Sequence, residues 1–207
     1  MMLMTIVSDN TAISMLMELV GAANVTKTMH EYGFKSISIV MTVHEMFLHA
    51  FGIPEQANIT IEDLFNRAQT VEMDYTSRTF SRGQDNNVSS ARDMTRLMAM
   101  IQRGVIVDRE ASHEMTEIMR NQQYSNRVPR YLPWRSVANK TGTMRGLRND
   151  SGIITCSPES HVAYSVFSFD PTPLHLGDRR SRSERNTLIE TTMAEIGFIL
   201  HERYQKR

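Results

Sequence analysis

Ala138-Asn139-Lys140-Thr141-Gly142-Thr143-Met144-Arg145-Gly146 is the stretch on which the reading of this chain turns. Its polar Lys140-Thr141-Gly142 follows the apolar run Ser136-Val137-Ala138. A Gly/Arg/Asn turn comes next, and then a second strand-like run, Ser151-Gly152-Ile153-Ile154-Thr155. The pattern predicts two antiparallel strands, the first carrying an ammonium, a hydroxyl and a bare backbone position. Lysine supplies charge, threonine a donor and an acceptor, and glycine leaves the strand edge open to a ligand. An ordinary hairpin edge accounts for the same residues, so the stretch needs support from elsewhere.

On its C-terminal side a third strand is expected over 161–169, where Val162, Tyr164, Val166 and Phe167 alternate imperfectly, as in a strand covered on both faces. A loop rich in Pro, Gly and charge spans 170–181. Ser183 or a neighbour then caps a last helix with Leu188, Ile189, Met193, Ile196 and Leu200 on one side. On the N-terminal side the periodicity is helical. Residues 1–7 read as the end of an apolar helix. Ser8-Asp9-Asn10 can cap the helix bearing Leu16 and Leu19, and 24–32 is a short helix closed by Gly33. Thr60 heads a helix to about Gln69 with Leu64 inward. Residues 75–87 are polar and irregular, an excursion over the surface. Ser89 or Ser90 starts an amphipathic helix with Met94, Leu97, Met98 and Ile101 inward, ended by Gly104. Another helix covers 109–122 with Met115, Ile118 and Met119 inward. Helices first, then three strands and a closing helix, predict the α+β class with an antiparallel sheet.

Composition narrows the function classes. The 207 residues are 41% hydrophobic with formal charge zero, which points neither to nucleic acid nor to an anionic membrane surface. No apolar run approaches the length of a spanning helix. Residues 1–7 show neither the basic region nor the cleavage site of a signal peptide. The lone Cys156 excludes an internal disulfide and sits in a strand as a small hydrophobe. His44 and His49, five apart, miss the i, i+4 spacing of a helical zinc pair and read as core histidines.

Ser8-Asp9-Asn10 and Lys140-Thr141-Gly142, in that order, resemble the motif pair of the class A β-lactamase and penicillin-binding-protein group of active-site serine hydrolases. Further text agrees with the resemblance: Ser89-Ser90-Ala91-Arg92-Asp93-Met94, Arg130-Tyr131-Leu132-Pro133 and Arg148-Asn149-Asp150. It implies a β-lactamase/transpeptidase-like α+β fold, with a helical lobe over 1–135, an omega-loop-like region at about 54–88, and three strands plus a helix over 136–207. By the same resemblance Ser8 relays a proton to the leaving nitrogen, and Lys140 holds the Ser8 hydroxyl. Asn10 bonds the substrate's side-chain amide. Thr141 and Arg148 bind its carboxylate beside Gly142, and the Thr143 N–H is an oxyanion donor. The implied substrate is a small acyl-amide such as a β-lactam. No cofactor, metal or nucleic acid is implied, and export to the periplasm or outside the cell is the family habit.

The chain departs from the family pattern in three ways. None of its four lysines stands three residues after a serine, so the nucleophile motif Ser-x-x-Lys is absent from these 207 residues. The expectation is therefore a single incomplete catalytic domain, without the family's N-terminal helix and first two strands, prone to self-association through its open sheet. Second, Ser8 and Lys140 are farther apart than is usual, with the excess placed between Phe34 and Asn87. Third, the deacylating glutamate has no clean counterpart. Glu62 and Asn66 have its spacing, but Thr60-Ile61-Glu62-Asp63 also reads as an ordinary helix start; Glu72 and Asp74 fit no better. A peptidase or esterase of the penicillin-binding type, and a non-catalytic binder of acyl-amide ligands, are the alternatives to a β-lactamase.

Overall fold

The computed structural model describes residues 1–57, 59–170 and 179–205. Seven helices come first: α1 (Met2–Ile6), α2 (Asn10–Val20), α3 (Ala22–Glu31), α4 (Val43–Ala50), α5 (Ile61–Thr70), α6 (Ala91–Gln102) and α7 (Arg109–Met119). Strands β1 (Val137–Met144), β2 (Leu147–Ser157) and β3 (Ser160–Phe169) follow, and α8 (Arg179–Gln205) closes the chain. The class is α+β, as the element order predicts. Two compact units result. One joins Met1–Asp9 to the described parts of Ala91–Thr172 and Arg180–Arg207, and the other is built on Asn10–Ser90.

In the first unit the strands pair antiparallel in the order β1-β2-β3. Lys140 lies opposite Ser151, Thr141 opposite Asp150 and Gly142 opposite Asn149. Because side chains alternate along a strand, Val137, Asn139 and Thr141 share one face with Ile154 and Asp150. That face holds the core of Val128, Val137, Ile154, Cys156, Tyr164 and Met193, the last brought by α8. Ala138, Lys140 and Gly142 take the opposite face. Close approach of α8 depends on Gly197, where a Cβ would fall 2.6 Å from the Val128 carbonyl oxygen.

Two boundaries differ from the periodicity. Strand β2 begins at Leu147 rather than at Ser151, because the polar Arg148-Asn149-Asp150 is paired on both sides, to β1 and to β3. Helix α8 begins at Arg179, ahead of Ser183, and Leu188 is solvent-exposed while Ile189, Met193 and Leu200 face the core. Most of the expected 170–181 loop, residues 171–178, lies outside the described residues.

In the second unit, threonines set the helix starts. Thr42 and Thr60 each form a capping box, with Glu45 and Asp63 respectively, so side chains satisfy donors the helices cannot. Leu48, Phe51 and Leu64 form its buried centre. The polar 75–87 stretch is internally braced. Asn86 Nδ2 donates to the Thr79 and Ser81 carbonyls at 2.8 Å each. The Asn87 side chain accepts from the Val40 and Met41 N–H groups and donates to the Met41 carbonyl. Asn87 therefore does for an irregular segment what a neighbouring strand would do for a regular one. His49 Nε2 lies 2.9 Å from Glu55 Oε1, and His44 is half-buried.

Candidate active site

Ser8 follows α1 and has φ of 54°, a left-handed backbone that a non-glycine residue rarely adopts. The segment is pinned to the end of α7. Gln122 Nε2 donates to the Thr5 carbonyl at 2.9 Å, the Gln123 N–H to Ile6 at 3.0 Å, and the Tyr124 hydroxyl to Val7 at 3.3 Å. Three successive carbonyls are thus held by three successive residues, and the strained serine is presented beside β1. There Lys140 Nζ donates to Ser8 Oγ, and also to the Thr141 carbonyl at 2.6 Å. A lysine and a serine 132 positions apart meet.

The environment tunes that lysine. Burial pushes the Lys140 ammonium down to about 8, and the nearby Arg127 guanidinium pushes the same way, while Asp150 opposes them. Arg127, only 3% exposed, lies over the hairpin. Its guanidinium donates to the Gly142 carbonyl at 2.9 Å, the Asn149 carbonyl at 2.5 Å and Thr143 Oγ1 at 2.5 Å. Burial lowers the Arg127 pKa against the attraction of Asp150 and Glu190.

Below the site is a buried acid. Asp150 accepts from Asn139 Nδ2 at 2.8 Å, the Tyr164 hydroxyl at 3.1 Å and the Val128 N–H at 3.2 Å. Burial nevertheless pushes it up to about 6, since three donors and Arg127 only partly replace lost water. Burial also pushes the Tyr164 phenol well above its usual range, and the Asp150 charge adds to this.

The other residues singled out in the sequence separate into groups. Thr141 is buried on the α8-facing side of β1, away from the Lys140 side chain. Thr143 is exposed at the strand end and joined to Arg127. Arg148 is engaged by Glu190 Oε1 at 3.1 Å and by the Met144 and Leu147 carbonyls at 2.8 and 2.9 Å. At Gly142 an added Cβ would lie 3.5 Å from Asn149 Cβ, an ordinary contact, so the strand itself does not demand glycine. Asn10 opens α2, and Glu62 is an exposed first-turn residue of α5, both in the second unit. Asp74 closes a turn, its Oδ1 accepting from the Thr76 N–H and hydroxyl, which holds its carboxyl below the usual range. Arg127, Asp150 and Glu190 were not assigned roles from sequence. The available signal for Arg127 was its place before Val128-Pro129, just ahead of the Lys-Thr-Gly strand.

An α+β fold in which a Lys-Thr-Gly strand meets a serine ahead of a helical unit defines the class of β-lactamase/transpeptidase-like proteins. Solved structures agree. A β-lactamase from Chitinophaga pinensis superposes with a TM-score of 0.68 at 24% identity, over 98% of this chain and 63% of its own length. A class A β-lactamase from Bacteroides cellulosilyticus gives 0.67 at 18% identity, over 100% and 62%. The protein PBP-A gives 0.59 at 21% identity, over 92% and 59%. The chain thus spans about three-fifths of the length of these proteins. No curated protein matches it. The model of the β-lactamase enzyme family matches residues 1–204, and the chain belongs to that family.

Proposed function

We propose that these residues form the proton-relay and carboxylate-recognition side of a serine β-lactamase-like active site, acting on a β-lactam or related amide or ester through an acyl-enzyme. The bond from Lys140 to a Ser8 hydroxyl held at positive φ carries the reading. With its oxygen occupied by the ammonium, the serine is free to direct its own proton outward, towards a leaving nitrogen. An ammonium with pKa near 8 exchanges protons close to neutrality far more readily than an ordinary lysine. Lys140, Arg127 and Arg148 together bias this region towards an anionic ligand, and the spare room at Gly142 lets that ligand lie along β1. Thr143 and Arg148 contribute the carboxylate contacts.

Because the 207 residues hold no Ser-x-x-Lys, they bind such a ligand without becoming acylated by it. Calorimetry with benzylpenicillin should show reversible binding that Lys140→Ala removes, with no mass gain in intact-protein spectrometry and no nitrocefin turnover. Absence of binding, or equal binding after Lys140→Ala, would overturn the assignment of this site. Turnover lost on Ser8→Ala would instead make Ser8 a nucleophile.

A further inference from the structure

Away from the Ser8–Lys140 region, in the first unit, a cavity of about 410 Å³ opens between the end of α6 and the outer side of α7. Its volume falls in the range of small-molecule sites, and its lining is rich in guanidinium groups: Arg103, Arg109 and Arg120, with His113 beside them and Glu117 as the lone acid. We infer that this cleft binds a small molecule with a dianionic head, either a phosphate monoester or a dicarboxylate.

The charges in the cleft are poorly compensated. Glu117 is shared, lying 3.4 Å from Arg120 Nε through one oxygen and 3.4 Å from Arg135 through the other. Among the described residues no carboxylate pairs with Arg103 or Arg109. Arg120 Nε is buried and makes no hydrogen bond, while the other end of that guanidinium reaches Thr155 Oγ1 at 3.3 Å. The field extends to β3, where burial and the Arg120 charge hold the His161 imidazole below its usual range.

The arginines are also placed. Arg103 Nε is bonded back to the Ala99 carbonyl at 3.1 Å, which orients its fork. The Arg109 stem packs on Gly104, where a Cβ would come within 3.2 Å of Arg109 Cγ. Guanidinium forks match the paired oxygens of phosphate and carboxylate groups. Three of them against one glutamate that Arg135 also engages leave an excess of at least two positive charges, which a dianion offsets further than a single carboxylate does. The cavity is larger than a bare inorganic anion fills, so the ligand has an organic body.

Phenyl phosphate and phthalate, two dianions on the same ring, test this when titrated calorimetrically into the full chain at neutral pH and low salt. Saturable binding of at least one is expected, and the tighter ligand assigns the head group. Arg103→Gln with Arg109→Gln should weaken binding roughly tenfold or more, with the melting temperature kept because both side chains are exposed. Arg67→Gln with Arg92→Gln, which removes the same charge elsewhere, should leave it unchanged. In the unaltered chain the largest ligand-induced NMR shifts should fall at Gln102 and His113. No saturation by either ligand, equal loss in both double variants, or shifts centred elsewhere would overturn the inference.

Discussion

Replacing Asp150 with asparagine separates what this carboxyl costs from what it holds. The amide keeps the shape of the side chain and can still accept from Asn139 and Tyr164, but it turns a second donor towards the Val128 N–H. The loss at Val128 is nearly constant with pH. The carboxyl's own titration is not. In the folded chain it keeps its proton up to about pH 6, against 3.8 as its ordinary value. Between those values the folded state binds more protons than the unfolded state, so stability falls as pH rises. At 1.36 kcal/mol per pH unit, the fall is about 3 kcal/mol. Urea unfolding of both proteins from about pH 4 to about pH 7 reads this directly. The stability of the parent minus that of Asp150→Asn should decrease by about 2 kcal/mol across this window, which starts just above the ordinary carboxyl value. Parallel profiles, or a difference that grows with pH, would refute the argument, because the charged form would then be favoured by its surroundings.

Other consequences are equally open to measurement. In carbon-13 NMR of reductively methylated protein, one of the four lysines should titrate near 8 and return towards the ordinary range in Asp150-intact, Arg127→Met protein; four ordinary titrations would contradict the buried Lys140. That lowered value also makes Lys140 a source of stability gained as pH rises from about 8 towards 10.5, the opposite slope to Asp150. Gly197→Ala should destabilise by about 1–3 kcal/mol in denaturant despite better helix propensity, since the new methyl meets the Val128 backbone; a gain in stability would show that α8 is free to shift. Asn87→Ala strips three backbone groups near Val40 and Met41 of their partner and should cost about 2 kcal/mol or more, read by faster amide exchange over 38–42. The chain should also sediment as more than a monomer, given Leu3, Met15 and Leu19 exposed on its first helices; a monomer with a sharp melt would contradict it.

What the sequence disclosed was whatever is written locally. Thr60 with Asp63 announces a helix start, and Met98 and Ile101 announce an inward face, because capping and periodicity act within a few residues. The Lys-Thr-Gly strand was legible for the same reason. Arg127 was not, since its burial comes from β1, β2 and α8 closing over a loop residue, and no local pattern encodes that. Arg148-Asn149-Asp150 looked like a turn running into a strand. It is strand throughout because two neighbours pair with it and Asp150 finds donors from three separate segments. Leu188 shows the opposite error: its spacing fits the inner face of α8, yet the helix turns it to water.

On the proposed assignment of Arg148 to a ligand carboxylate, Glu190 is a resident occupant of that place. Its side chain takes Arg148 at 3.1 Å, accepts from Asn126 at 2.7 Å and lies 3.9 Å from Arg127. A ligand carboxylate that takes Arg148 through Nε would have to displace one the protein already carries on α8. The measured affinity is then the intrinsic one scaled by the fraction of time that Glu190 lets go. Selectivity would follow as well: weak anions would be turned away by an internal rival that stronger or better-shaped ones outcompete, and the threshold for occupancy would then lie in the closing helix and not in the strand proposed to touch the ligand.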